Sequence, residues 1–392
     1  SLQQGIHHLK FGLALTRATN HGVFTARAIN ILDAAGRRLK RIEFDGQTPF
    51  DRQDVELTLF AQDHLVVSPK LAVDLGVRTE RQGITETLRT APRIGVAWTP
   101  LGTNRTVVRT GVGIFYDRVP LNIYAFGHYP QQVVTSYATD GSIADGPRRF
   151  LNFTEPATRH KFPFIRSRPQ PGNFAPYSTT WNFEIEHPLN AYFRVRANYL
   201  HGDSHGVVIV SPKVVAGRDA LALGNSGQSH YRQLELTARV SWKDANQLFF
   251  SYVRSRAEGD LNEFNQYLGN FPFPLVRLNR FSNLSGDLPH RFLAWGIVKL
   301  PKKMEIAPIV EQRSGFPYAI TDAAQNHGGT PNKQRFPRFF AFDAEAARQA
   351  RLLQRRVVVV VQVVEADDLV AARQQQLADV HADEAGGAGD ED

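Results

Sequence analysis

Few residues in this chain sit at spacings that could do chemistry. His201-Gly202-Asp203-Ser204-His205 brings together two imidazoles and a carboxylate, donor types that zinc accepts. Nothing nearby completes a fixed ligand set, so the segment reads as a polar extracellular loop. His7-His8 makes a poor ligand pair, because strand neighbours point to opposite faces. Glu184 and Glu186 share a strand face, as a carboxylate pair would. Arg194 and Arg196, across the turn at Pro188, are expected to pair with them as a lumenal charge ladder. Gly111-Val112-Gly113 opens like a dinucleotide fingerprint but lacks the third glycine and the helix. Small residues on an inward strand face explain it better. No nucleophile elbow, His-Glu-x-x-His or phosphate loop is present. The sequence therefore names no catalytic, cofactor-binding or metal-binding residue, implies no cofactor, and points away from an enzyme. Asn104-Arg105-Thr106, Asn152-Phe153-Thr154 and Asn283-Leu284-Ser285 fit the glycosylation pattern, which carries no weight in a bacterial host.

The elements that would hold such residues are strands. In Leu71-Ala72-Val73-Asp74-Leu75-Gly76-Val77-Arg78 one face is apolar and the other small or charged, the period-two signature of a strand. The pattern returns at Ile94, Val96 and Trp98, at Val108, Val112 and Ile114, at Trp181, Phe183 and Ile185, and at Leu234, Leu236, Ala238 and Val240. Charges stand in mid-strand on the opposite face. Val73, Leu75, Val96, Val112, Leu234 and Leu236 are expected to face lipid, and Asp74, Arg78, Arg109, Glu235 and Arg239 the lumen. From Asp54 onward, short connections at 68–70, 101–105, 188–190, 243–246 and 301–303 alternate with longer ones at 80–91, 117–177, 201–230, 257–289 and 314–337. Short periplasmic turns and long extracellular loops give that phase, which a Greek-key sandwich has no reason to keep. Trp98 and Trp242 fall beside short turns and Tyr116 and Trp181 beside long loops, as interfacial girdles would. His7–Ala18 reads as a strand, and 23–31 with 38–44 as a hairpin around Asp33-Ala34-Ala35-Gly36. The expectation is an all-β, antiparallel, up-and-down transmembrane β-barrel of roughly twelve to fourteen strands.

Composition agrees. No run approaches the ~20 apolar residues of a membrane-spanning helix. The absence of cysteine excludes disulfides and thiolate chemistry. The net charge of +8 is divided. Residues 343–392 hold 5 Lys+Arg against 11 Asp+Glu, and the remainder holds 41 against 27. The basic residues read as loop and lumen charges, with no module for nucleic acid.

Several segments resemble TonB-dependent outer-membrane receptors, specifically the Oar-like branch. They are Phe60-Ala61-Gln62-Asp63-His64 running into 69–78, then 91–100, then Val108-Arg109-Thr110-Gly111-Val112-Gly113-Ile114-Phe115-Tyr116-Asp117-Arg118. Tyr231-Arg232-Gln233-Leu234-Glu235-Leu236, 250–255, Gly286-Asp287-Leu288-Pro289-His290-Arg291-Phe292 and Ser314-Gly315-Phe316-Pro317 follow. The resemblance covers about residues 5–342. It implies a barrel of about 22 strands around a plug, in the bacterial outer membrane, with uptake driven by a TonB complex and an unidentified substrate held by the loops at 117–177, 201–230 and 257–289. Ser1 is not an initiator Met, and no leader, TonB-contacting segment, plug or final aromatic-ended strand is visible. The chain reads as a fragment that cannot transport alone. The rival expectation is a soluble extracellular all-β adhesion or glycan-binding protein.

Residues 1–342 are expected to form the barrel portion and 343–392 an acidic tail. All 41 aromatic residues lie at or before Phe342. The run Val357–Val361 lacks alternation, and 365–381 favours a helix. A change of reading frame or a boundary error near 343 is expected, with disorder as the alternative.

Overall fold

The computed structural model describes residues 2–102, 105–157, 162–168, 170–243, 246–264, 277–301, 304–348 and 363–364. Twelve strands dominate. They are β1 (His7–Gly22), β2 (Phe50–Ser68), β3 (Leu71–Gln82), β4 (Thr87–Trp98), β5 (Val107–Tyr116), β6 (Tyr177–Pro188), β7 (Phe193–Val215), β8 (Arg218–Trp242), β9 (Asn246–Asp260), β10 (His290–Leu300), β11 (Met304–Arg313) and β12 (Phe339–Arg348). Each pairs antiparallel with the next, in sequence order. This is the up-and-down meander that the connection lengths predict. Among the described residues no ladder joins β1 to β12, so the sheet is an open wall rather than a closed barrel.

Local chemistry sets the short turns. The Asn190 side chain accepts the backbone N–H groups of Tyr192 and Phe193, both at 2.8 Å, closing β6 onto β7. Between β3 and β4 the chain turns at 83–86, tighter than the loop expected over 80–91. Gly83 permits this, because a Cβ there would lie 2.8 Å from the Val55 carbonyl.

The registers place Val73 opposite Val96, Leu75 opposite Ile94, Ile94 opposite Val112, and Val112 opposite Trp181. Tyr199 stands opposite both Phe183 and Leu234, and Ala197 opposite Leu236. One continuous apolar face results, and it also carries Trp98, Tyr116, Trp181 and Trp242. The other face holds Asp74, Arg78, Arg109, Glu235 and Arg239. The division of faces expected from the alternation is therefore found in every strand where it was predicted.

Three expectations change. The first hairpin, Ile29–Leu32 with Arg38–Asp45, is not part of the wall. It pairs with Gln131–Tyr137 in a separate small sheet. Residues 201–230 are not a loop. β7 and β8 run on as paired strands to a two-residue turn at Ala216-Gly217, whose φ values of 49° and 75° suit a tight hairpin. At the other end β12 continues to Arg348, past the boundary at 342, and Val363–Val364 pairs with Ala341–Phe342. The helix expected over 365–381 lies outside the described residues.

Candidate functional site

The polar face of the wall carries a chain of ion pairs across four strands. Arg109 on β5 meets Glu184 at 2.6 Å and Glu186 at 3.2 Å on β6. From β7, Arg194 meets Glu186 at 2.7 Å and Arg196 meets Glu184 at 3.4 Å. Arg196 also reaches Glu235 on β8 at 3.2 Å. Register explains the network: Glu184 lies directly opposite Arg109, and Glu186 directly opposite Arg196. The cross-strand partners expected for Glu184 and Glu186 are thus in contact with them. Both carboxylates are engaged by guanidinium groups of the neighbouring strands. The ladder is a hydrophilic wall lining.

The glycines of Gly111-Val112-Gly113 lie on this same face. An added Cβ would meet Asn182 Oδ1 at 3.1 Å from Gly111 and Arg93 Cγ at 3.0 Å from Gly113. Polar side chains of the neighbouring strands fill that space.

At the ends of β2 to β4 nearest the long loop 117–176 the polar face is buried. Asp54, Gln82 and Arg89 are all under 3% exposed. The Gln82 amide donates to Asp54 Oδ2 at 2.9 Å and to the Val119 carbonyl at 2.7 Å, and accepts the Val119 N–H at 3.2 Å. Arg118 lies 3.4 Å from Asp54 and 3.2 Å from Glu56. Arg89 donates to the Asp117 carbonyl at 2.9 Å and lies 3.3 Å from Glu80. Together these contacts clamp the start of the long loop 117–176 onto the wall. Burial raises the Asp117 carboxyl above the usual range, with Arg89 opposing the shift.

Above this rim the long connections form a cap with its own apolar core. α1 (Leu121–Ala125) supplies Ile123, Phe126 follows it, and Phe150 and Phe174 come from later in the same loop. Val208 and Val210 of β7, Leu221 and Leu223 of β8, and Phe264 join the cluster, with Val119 and Ala157 of the loop. Residues 151–154 pair parallel with 220–223, tying the loop to the protruding hairpin. Arg148 grips Asp219 through two hydrogen bonds at 2.9 and 2.7 Å, and Arg149 forms a bidentate pair with Asp45. The Tyr124 hydroxyl donates to the Gly172 carbonyl at 2.6 Å, and burial pushes its phenol well above the usual range. Sequence reading missed this core, because its members lie far apart in the chain and share no period.

His201 and Asp203 fall within β7, not in a loop. Asp203 accepts from or bridges to His201 at 2.8 Å and His230 at 2.6 Å, on the apolar side of the wall. His7 lies 2.7 Å from Asp63, while His8 occupies the opposite face.

Residues 79–213 match the family described as outer membrane beta barrel domain. No curated protein matches the chain. Among solved structures, the outer membrane transporter YddB from Escherichia coli superposes with a TM-score of 0.57 at 13% identity, over 94% of this chain and 48% of that one. The ferric enterobactin receptor of Pseudomonas aeruginosa gives 0.51 at 11% identity, over 87% and 47%. The FrpB iron transporter of Neisseria meningitidis gives 0.50 at 10%, over 78% and 40%. The chain spans about half the length of the solved structures it resembles, and at these identities the likeness is one of fold. A wall with one continuous apolar face, a salt-bridged opposite face and an outer-membrane barrel domain within it is a β-barrel wall of the bacterial outer membrane.

Proposed function

We propose that this wall belongs to a TonB-dependent receptor, of the Oar-like branch that the sequence segments resemble, and that it has no enzymatic role. The observation that carries the reading is the pairing of a salt-bridged hydrophilic lining with a folded extracellular cap. Loops on a rigid scaffold usually carry recognition, and a polar lining lets a hydrophilic solute pass without desolvation. The superposed proteins named as transporters and receptors support the same role. The apolar face argues against a soluble adhesion protein, since water tolerates no continuous apolar wall of that extent.

Function then needs further parts. Hydrocarbon does not tolerate edges as open as those of β1 and β12 are among the described residues, so additional strands close the barrel, and a plug and a TonB-contacting segment couple it to energy. Residues 343–392, of which 343–348 still belong to β12, take no part in recognition, and a change of reading frame near 343 accounts for their composition. The test is to express residues 1–348 and 1–392 behind a signal peptide and follow outer-membrane fractionation, heat-modifiable migration and solute uptake. Both forms are expected in the outer-membrane fraction without uptake. Unaided uptake by either would overturn the division of labour, and recovery in the soluble fraction would overturn the receptor reading. Translation of the other two frames downstream of codon 343 decides the tail. If neither restores alternating strands, the tail is authentic.

A further inference from the structure

The apolar face ends, toward the cap, in a patch of basic side chains that the transport reading does not use. Arg232 on β8 stands directly opposite Arg256 on β9, and one register step nearer the apolar band Arg254 stands opposite Leu234 and His290. These positions continue the face of Leu234, Leu236 and Tyr252, so all three guanidinium groups project outward rather than into the lumen. All three are exposed. Like charges placed directly opposite on neighbouring strands destabilise a sheet. Where Arg291 stands opposite Arg313, Glu311 answers that cost by meeting both. Here Arg256 meets Glu258 at 2.6 Å, but Arg232 and Arg254 have no acidic partner among the described residues. Asp203, on the same face, is already engaged by His201 and His230. Trp181, stacked on His201 at 5.5 Å, marks the depth as the edge of the hydrocarbon.

We propose that Arg232, Arg254 and Arg256 form a binding site for the phosphate groups of a phosphorylated glycolipid in the outer leaflet. Planar guanidinium groups grip phosphate oxygens bidentately. Two such groups left unpaired on adjacent strands, just above an apolar surface that receives acyl chains, match a molecule with clustered phosphates on a lipid body. A simple interfacial arginine would extend to any headgroup. The crowding of three guanidinium groups selects for more than one phosphate. The site rests on the membrane wall and stands whether or not the receptor reading holds.

The test uses the full chain folded in zwitterionic micelles, with native mass spectrometry counting retained lipid. The probe is a bisphosphorylated glucosamine-disaccharide lipid, compared with its dephosphorylated form and with phosphatidylglycerol. One bisphosphorylated lipid is expected to remain bound. R232Q/R254Q should lower its retention at least tenfold, while K70Q, at a turn on the other side of the membrane, should not. Equal retention by R232Q/R254Q, equal retention of the dephosphorylated lipid, or displacement by an equal concentration of phosphatidylglycerol would each overturn the proposal. The two lipid comparisons use the unsubstituted chain, so they decide the matter even if the double variant misfolds. Solute uptake is not part of the readout, so failure here leaves the receptor reading intact.

Discussion

The wall and the cap use the same apolar residue types in opposite ways. In the wall, Leu13 is 67% exposed and Leu15 68%, because lipid is the solvent they are built for. In the cap, Phe126 is 2% exposed and Phe174 fully buried, because that region stands in water and must make its own interior. The wall's polar groups are paired across strands by register. The cap's are paired between segments far apart in sequence. A barrel of this kind is therefore two folding problems, one solved by periodicity and one by tertiary contact.

Four tests break or sharpen that contrast. The largest effect is expected in the cap, where Phe126→Ala should cost about 3–5 kcal/mol of local stability. Limited proteolysis should then cut 117–176 while heat-modifiable migration of the wall is unchanged. Simultaneous collapse of both regions would show that they are not separate. Next comes the apolar face. Leu236→Arg should cost roughly 2–4 kcal/mol in urea titrations in bilayers, and its lumenal neighbour Thr237→Arg much less. Equal costs at the two sites would contradict a membrane wall. Third, Gln82→Leu removes one of the partners of Asp54 and leaves both backbone groups of Val119 without their side-chain partner. A loss of roughly 1–3 kcal/mol is expected at the junction of cap and wall, read as faster amide exchange at Val119. Unchanged exchange would mean that the clamp is dispensable. Smallest is Arg149→Gln in the exposed pair with Asp45, expected to change cap stability by under about 1 kcal/mol. A larger loss would promote that pair from surface decoration to part of the cap's framework.

How much of this was legible follows from the same contrast. Alternation in 71–78, 181–186 and 233–240 exposed the faces, because side chains in a strand must alternate and lipid rewards only one side. The ladder at Glu184 and Glu186 was readable because the turn at Pro188 fixes the register of its partners. The protruding hairpin was not. Val208, Ile209 and Val210 in β7, and 220–223 in β8, are buried on both faces within the cap. With no alternation to show, they looked like loop. Nor could sequence place the hairpin at 29–45, whose partner strand begins at Gln131. The candidate metal cluster at 201–205 dissolved for a related reason. Strand geometry commits Asp203 to two histidines on the face of the wall, rather than gathering ligands around a centre.

The uninterrupted passage of β7 and β8 from bilayer to cap has a mechanical consequence. A pull applied to the outer tip of this hairpin runs along its strands, so the hydrogen bonds joining it to β6 and β9 are loaded in shear and resist together. The loop 117–176 is held to the wall by short, separate contacts, those around Gln82, the pairing of 165–166 with 88–89 and that of 151–154 with 220–223, which a pull would peel one after another. Under force, the spar should hold while the loop lifts from it.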